Sequence, residues 1–249
     1  MAFIMKYIIL SIFSFLIFNA PSFAQDNAAE DIQTVLIAKQ QADIASPVSG
    51  RITELSFFEG DTFEQGQMLA SYDCLIQTAQ RDQAKARYEA ASGLLEARKK
   101  LSELNTVSKL ELLRAQAEAR QAGAEVKEYE ARISRCTVLA PFDGRITARH
   151  ANPHETTEAG QPLMSIASMD KLQAKLLVPS NWLSWIKVGS ALEIEIQETS
   201  QRYNASILRI GGAVDPVSQS IQLIAELDND HPELLPGMTG LAHIAPPVQ

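Results

Sequence analysis

Residues 74–136, CLIQTAQRDQAKARYEAASGLLEARKKLSELNTVSKLELLRAQAEARQAGAEVKEYEARISRC, determine how the chain is organised. The stretch has no proline, and it is dominated by Ala, Leu, Glu, Lys, Arg and Gln, which favour helices. Asn105-Thr106-Val107 interrupts it, and Ser108 with Glu111 three residues later matches a capping box. We therefore predict two helices, Cys74–Leu104 and Ser108–Arg135, folded back on each other. A single unbroken helix and two helices of a larger bundle are the alternatives.

Small and apolar side chains recur at three- and four-residue spacing in both halves, which is typical of a coiled-coil seam. The first half contributes Ala79, Ala86, Ala90, Gly93, Ala97, Leu101 and Leu104. The second half contributes Leu112, Ala115, Ala119, Ala122, Val126, Tyr129 and Ile133. We expect these two faces to contact each other, and the many alanines would allow a close approach.

The flanking segments repeat one another without a gap at an offset of 94 residues. Residues 46–73 read SPVSGRITELSFFEGDTFEQGQMLASYD, and residues 140–167 read APFDGRITARHANPHETTEAGQPLMSIA. Eleven of the 28 positions are identical, including the GRIT tetrapeptide. Both copies alternate like strands between Pro and Gly turn signals. Two such copies predict one small β-domain that the helices split in half.

The segments outside the repeats also contain strand patterns. Residues 32–37 form a leading strand, and residues 180–187 form a short amphipathic helix that Trp182 and Trp185 would pack onto the neighbouring strands. Further strands are predicted at residues 172–178, 192–197, 203–210, 221–227 and 239–244. Turn signals such as Gly211-Gly212 and Pro236-Gly237 separate them, which favours a small antiparallel barrel.

Together, the half-motifs, the helices and the following strands resemble the periplasmic adaptor subunits of tripartite efflux pumps, also called membrane fusion proteins. The resemblance covers residues 44–244, and it includes a barrel segment at residues 214–238. It implies a mostly β fold with an inserted α-helical coiled-coil hairpin: a split lipoyl-like barrel-sandwich hybrid domain plus a small antiparallel β-barrel. The expected divisions are a signal peptide (1–24), an N-terminal strand and linker (25–42), the hybrid domain (43–73 and 137–168), the hairpin (74–136) and the barrel (169–249).

The resemblance implies a non-catalytic adaptor that bridges an inner-membrane efflux transporter and a TolC-like outer-membrane channel. It also implies a homo-oligomeric ring, commonly of six copies. The barrel segment favours a transporter of the resistance-nodulation-division type. An adaptor of an ATP-driven exporter and a lipoyl-fold envelope scaffold unrelated to export are the alternatives.

Family members that meet such a channel often carry R-x3-L-x6-S near the turn of the hairpin. Leu101 and Ser108 have the required separation, but the arginine falls at Arg98, one position late, and Ala97 occupies its place. We expect Arg98, Leu101 and Ser108 to contribute to channel docking. The alternative roles are a seam position for Leu101 and a helix N-cap for Ser108.

Cys74 and Cys136 are the only cysteines, and each lies 31 residues from Asn105. Helices folded back at Asn105 would bring both cysteines to the same level. An oxidising compartment favours a bond between them. We predict a disulfide that closes the base of the hairpin. Two free thiols packed as small apolar groups are the alternative.

Other functions receive little support from the sequence. Neither half-motif contains the lysine that a lipoyl or biotinyl carrier modifies, and motifs for hydrolases, metalloproteases or nucleotide binding are absent. No cofactor is therefore expected. His150 and His154 are interpreted as exposed loop residues rather than a metal site. The net charge of −8, with a helical stretch of only +3, does not fit a nucleic-acid-binding protein.

The first 24 residues have the pattern of a targeting segment. Lys6 supplies a positive charge, residues 7–18 are apolar, and Ser22-Phe23-Ala24 offers small residues for cleavage after Ala24. We predict a periplasmic protein associated with the inner membrane through its partner. An uncleaved anchor is the alternative.

Overall fold

The computed structural model describes residues 30–245, so the predicted signal peptide lies outside the described residues. The described chain contains fourteen strands and two long helices. In order they are β1 (Glu30–Ile37), β2 (Gln41–Ala45), β3 (Gly50–Glu54), β4 (Thr62–Phe63), β5 (Met68–Tyr72), α1 (Leu75–Glu103), α2 (Lys109–Ser134), β6 (Thr137–Leu139), β7 (Gly144–Arg149), β8 (Thr156–Thr157), β9 (Pro162–Ala167), β10 (Gln173–Pro179), β11 (Ala191–Ile196), β12 (Gln201–Asp215), β13 (Ser220–Leu227) and β14 (Thr239–Ile244).

The two repeats form one β-sandwich. One sheet has the order β2-β9-β7-β4 and the other β6-β5-β3-β8, so both sheets combine strands from both copies. Inward side chains from the two copies share a single core, which includes Ile52, Phe63, Leu69, Ile146 and Leu163. This arrangement confirms the prediction that the repeats make one β-domain into which the helices are inserted.

The copies hold each other through reciprocal backbone hydrogen bonds. Each bond has an equivalent with the two copies exchanged: the donor number rises by 94, the repeat offset, and the acceptor number falls by 94. The pairs are Gly60 N to Ile146 O (2.9 Å) with His154 N to Ile52 O (2.9 Å), and Gly66 N to Ala140 O (2.8 Å) with Gly160 N to Ser46 O (2.8 Å). Each copy also pairs strands within itself, β3 with β5 and β7 with β9, but these cross-copy bonds satisfy backbone groups that the copy alone would leave without partners. Both sheets, the core and these hydrogen bonds therefore draw on both halves.

The strands outside the repeats close into a six-stranded barrel of order β1-β10-β13-β12-β11-β14. The leading strand β1 pairs with both β14 and β10 and so helps to close the barrel. The barrel has its own core, which contains Trp182 and is contacted by Trp185. The two indole rings lie 5.1 Å apart, so the predicted packing role of the tryptophans is confirmed.

Two predictions in the barrel need correction. The predicted helix at residues 180–187 is a shorter 3₁₀ helix, Ser180–Ser184. Strand β12 continues to Asp215, beyond the predicted end at residue 210. Its register with β13 shifts between Ile210 and Val214. Gly211 permits this irregularity, because a Cβ atom there would lie 2.9 Å from the carbonyl oxygen of Gln222.

Helices α1 and α2, hereafter the helix pair, run antiparallel between the two halves of the sandwich. Contacts join Cys74 to Cys136, Tyr88 to the Cβ position of Gly123, and Arg98 to Glu111. The residue numbers add to 209–211 in all three pairs. A residue of α1 therefore lies at the same height along the helix pair as the residue of α2 whose number completes this sum. Asn105 allows the reversal because it adopts a positive φ of 56°, a conformation that Asn tolerates better than most residues.

Candidate functional site

The seam of the helix pair matches the prediction on α2. All seven predicted positions are partly or fully buried, and Ala115 and Ala119 are buried outright. They follow a strict alternation of three- and four-residue steps, as in a heptad pattern. This face is apolar along most of its length, so it packs against α1 as expected.

On α1 the predicted face is wrong. All seven predicted positions are exposed, and Leu104 is 71% exposed. The side of α1 that faces α2 is defined by buried Ala84, by Tyr88 and by Arg98. Three- and four-residue steps through these residues give the seam positions of α1, which are Gln77, Arg81, Ala84, Tyr88, Ala91, Leu95, Arg98 and Ser102.

The error on α1 has a physical reason. Alanines and leucines lie on two sides of this helix, and the seam itself includes Gln77, two arginines and Ser102. Long polar side chains can pack their methylene groups at such positions and keep their charged ends in water. Counting apolar residues therefore selected the more alanine-rich side of α1, which faces away from α2.

The tip of the helix pair is built around Ser108. Its hydroxyl oxygen accepts a hydrogen bond from the backbone N–H of Glu111 at 3.2 Å, and the Glu111 carboxylate accepts one from the N–H of Ser108 at 2.9 Å. This reciprocal pair confirms the predicted capping box. Hydrogen bonds from Ser108, with a smaller contribution from the charge of Arg98, hold the pKa of Glu111 below its usual range.

The structure brings the three predicted docking residues together at the tip, but it gives them different surroundings. Arg98 lies on the seam, with its guanidinium 4.0 Å from the carboxylate of Glu111. Leu101 is 40% exposed. Its carbonyl oxygen accepts hydrogen bonds from the N–H and hydroxyl of Thr106 at 3.0 and 2.8 Å. Sequence reasoning missed Thr106, although Thr commonly makes such local bonds at turns.

At the base, the structure joins Cys74 and Cys136 as a disulfide. Their Cα atoms are 6.3 Å apart, within the normal range for a disulfide. Cys136 is buried in the core of the sandwich, and Cys74 packs against that core. The side chain of Cys74 makes no capping hydrogen bond, while the backbone N–H of Leu75 donates to the Asp73 carboxylate at 3.2 Å. The disulfide adds a covalent link between the two ends of the helix pair.

The remaining sequence candidates do not assemble into a reactive centre. His150 and His154 are both exposed, and His150 Nε2 lies 3.2 Å from the hydroxyl of Ser165. Within residues 30–245, no three His, Cys, Asp or Glu side chains are grouped in a way that could hold a metal ion. No helix in this part of the chain combines the length and apolarity needed to cross a membrane.

Comparison with known proteins gives this arrangement a context. Residues 40–169 match the family described as "RND MFP, barrel-sandwich hybrid domain". The nodulation protein NolF of Rhizobium meliloti is 26% identical over 80% of this chain and 58% of its own length. The solvent efflux pump periplasmic linker SrpA of Pseudomonas putida is 28% identical over 79% of this chain and 56% of its own length. The chain thus spans just over half the length of these relatives.

Solved structures share the fold. A MacA–MexA chimeric protein carrying the Pseudomonas aeruginosa MexA α-hairpin domain superposes with a TM-score of 0.77 at 21% identity, covering 87% of this chain and 80% of the chimera. The membrane fusion protein Spr0693 of Streptococcus pneumoniae R6 gives a TM-score of 0.73 at 18% identity, covering 88% of this chain and 100% of its own. At these identities the likeness concerns the fold alone.

Proposed function

The chain belongs to the RND membrane fusion protein family, and on that basis we propose that it is a non-catalytic periplasmic adaptor of an efflux pump. The adaptor would bridge an inner-membrane transporter of the resistance-nodulation-division type and a TolC-like outer-membrane channel. Relatives named as efflux pump periplasmic linkers support this role. The proposed location is the periplasm.

The observation that carries this proposal is the position of the helix pair. The disulfide joins the two ends of the pair where they meet the β-sandwich, and α1 is 29 residues long. At 1.5 Å per residue this places the tip about 44 Å from the base. A projection of that length suits a connection between two membrane-bound partners.

The test is export in the natural host. Deleting the gene should abolish efflux of the pump substrates, and the full chain supplied in trans should restore it. Purification of the tagged chain after cross-linking should recover an inner-membrane transporter and an outer-membrane channel. Recovery of envelope proteins without either class would instead favour the scaffold alternative.

At the tip, we propose that Arg98, Leu101 and Ser108 contribute to docking on the channel. Exposed Leu101 and Leu104 would supply apolar contact, while Arg98 and Ser108 would set the shape of the turn through Glu111. The double variant Arg98→Asp/Leu101→Asp should retain its helix content by circular dichroism but lose most export. Leu75→Asp, at an exposed leucine near the base, is the matched control. Full export by a folded double variant would exclude the docking role.

For the base, we propose that the disulfide keeps the helix pair in a fixed direction. A bond that closes a loop of 62 residues should stabilise the folded state by about 4 kcal/mol in the chain-entropy model. The double variant Cys74→Ser/Cys136→Ser should lower stability to urea by that order and reduce export. Thiol labelling of the denatured wild-type protein without reductant should find no reactive thiol. Two reactive thiols per chain would show that the bond does not form.

A further inference from the structure

A cleft of about 670 Å³, hereafter the interdomain cleft, lies where the β-sandwich meets the barrel. Phe63 and Phe142 line it from the sandwich, and Leu234 lines it from the barrel. Met169, in the connection between the two domains, lines it as well. Small-molecule sites commonly enclose roughly 300–1,000 Å³ between apolar walls and a few polar groups. A small molecule in this cleft would therefore contact both domains.

Arg145 provides the polar group with the most unusual surroundings in this cleft. Its side chain is partly buried, its Nε atom is fully buried, and no described residue accepts a hydrogen bond from that atom. None of the ion pairs within residues 30–245 includes Arg145. Buried donors nearly always have an acceptor, and a guanidinium is well suited to carboxylates and phosphates. Arg145 therefore offers a contact for the anionic group of a ligand.

The other copy of the repeat shows that these surroundings are not a property of the GRIT motif itself. Arg51 is equivalent to Arg145, 94 positions earlier, and it is exposed. The backbone of Arg51 accepts a hydrogen bond from the N–H of Asp73, at the end of the sandwich where the helix pair begins. Arg145 instead pairs with Ala167, the last residue of β9, at the end where the chain enters the barrel. The barrel therefore encloses Arg145 but not its equivalent.

The opening of the cleft has the opposite charge. Asp143, Asp170 and Asp230 line it, and all three are exposed. The backbone N–H of Gln65 donates to the Asp143 carboxylate at 2.6 Å, and the N–H of Lys171 donates to the Asp230 carboxylate at 3.3 Å. Each bond engages one oxygen and leaves the carboxylate charged. The cleft thus combines a positive group in its interior with negative groups at its opening.

His231 also lines the cleft, but it has protein partners of its own. Its Nδ1 atom lies 3.4 Å from the carboxylate of Glu233. Its ring packs edge-on against Tyr203, with 4.6 Å between the ring centres. The imidazole therefore forms part of the wall, whereas the guanidinium of Arg145 has no such contacts.

We propose that the interdomain cleft binds a zwitterionic small molecule with an apolar body. Its anionic group would pair with Arg145, its cationic group would lie among the aspartates at the opening, and its apolar body would pack against Phe142 and Met169. The three aspartates disfavour a simple anion, and the unpaired charge of Arg145 disfavours a simple cation. Such a site goes beyond the proposed function, because an adaptor can join two membrane proteins without a ligand of its own.

Titration calorimetry with the chain purified from the periplasm tests the site. The probe is the dipeptide phenylalanyl-leucine, a zwitterion with two apolar side chains. Its C-terminal amide lacks the anionic group, and its N-acetyl form lacks the cationic group. The dipeptide should bind with saturation, and each blocked form should bind about tenfold more weakly, because it loses one charge-assisted contact.

Substitution of each arginine of the GRIT repeat identifies the group that binds the anion. Arg145→Gln should bind the dipeptide and its amide equally, since the partner of the carboxylate is gone. Arg51→Gln is the matched control and should keep the preference of the wild type. The readout is a ratio between two ligands on the same protein, so it stays informative even if a variant is partly unfolded.

Substitution of the acids identifies the group that binds the cation. Asp170→Asn/Asp230→Asn should bind the dipeptide and its N-acetyl form equally. Glu89→Gln/Glu118→Gln removes the same net charge from exposed positions on the helix pair and should keep the preference of the wild type.

Three results would overturn the proposed site. The first is no saturable binding of any of the three compounds at millimolar concentration. The second is a preference for the free carboxylate that survives in Arg145→Gln. The third is an equal loss of that preference in Arg145→Gln and Arg51→Gln, because binding would then depend on total charge alone. Export is measured separately, so none of these results decides whether the chain is an adaptor.

Discussion

The two copies of the repeat share their backbone arrangement but differ in how they fill space. Gly50 and Gly144 are equivalent, and each has an aromatic ring beside it. Beside Gly50 the ring is Tyr72 on β5, from the same copy, and beside Gly144 it is Phe63 on β4, from the other copy. The positions equivalent to these rings hold Ile166 and Thr157. Equivalent glycines of the repeat thus meet aromatic rings that different strands supply.

The surroundings of the two rings also differ in polarity. Tyr72 donates a hydrogen bond from its hydroxyl to the hydroxyl oxygen of Ser46 at 2.6 Å, and the hydroxyl of Thr157 approaches the same atom at 3.3 Å. The positions equivalent to Tyr72, Ser46 and Thr157, 94 residues away in each case, hold the apolar Ile166, Ala140 and Phe63. One side of the sandwich therefore depends on a buried hydroxyl cluster and the other on apolar packing, so equivalent substitutions should have unequal effects.

The largest difference is expected between Phe63→Ala and Thr157→Ala. Loss of the buried ring should lower the free energy of unfolding by about 4 kcal/mol, because it leaves a cavity. Loss of the threonine side chain should cost about 1 kcal/mol, since it removes weak hydrogen bonds and little volume. Urea denaturation of both variants measures the difference. Equal losses would show that the two sides of the core pack alike.

The next difference concerns the glycines themselves. A Cβ atom at Gly144 would lie closer to the Ala167 carbonyl oxygen than van der Waals contact allows, and 3.0 Å from the Phe63 ring. At Gly50 the nearest atom to such a Cβ is 3.7 Å away, on Tyr72. Gly144→Ala should therefore destabilise the protein by about 3 kcal/mol through overpacking. Gly50→Ala should change stability by less than about 1 kcal/mol. Thermal unfolding distinguishes them, and a tolerated Gly144→Ala would contradict the close packing described here.

The smallest expected effect is at the equivalent turn positions Gly60 and His154, whose φ angles are 90° and 70°. Gly60→Ala should cost about 1 kcal/mol, because an L residue is strained in this conformation. His154→Gly should stabilise the protein by a few tenths of a kcal/mol, since glycine adopts the conformation without strain. Midpoints of urea denaturation measure both shifts. A destabilising His154→Gly would mean that the imidazole makes a contact worth more than the strain.

Much of the fold could be predicted from the sequence because its signals are local or repeated. The capping box at Ser108 and Glu111 depends on residues three apart, and the structure shows it as predicted. The GRIT repeats indicated a split sandwich, since two similar half-motifs can share one core. The only two cysteines indicated a link across the base, and the structure places their Cα atoms 6.3 Å apart.

Features that depend on a neighbouring strand or helix could not be predicted from the sequence. The shift in register that extends β12 depends on how closely Gly211 approaches β13, and no local pattern records that distance. The placement of Arg98 on the seam, beside Glu111, likewise reflects the geometry of the neighbouring helix.

Helix α1 shows most clearly what the sequence determines and what the tertiary structure decides. By itself, the sequence determined that residues 75–103 form a helix, because alanine and straight-chain residues favour helices whatever surrounds them. The tertiary structure alone decided which side of that helix meets α2. Alanines line both sides, and burial of an alanine contributes too little free energy to orient a helix. The direction was set instead by the disulfide, by Tyr88 against Gly123, and by the apolar face of α2.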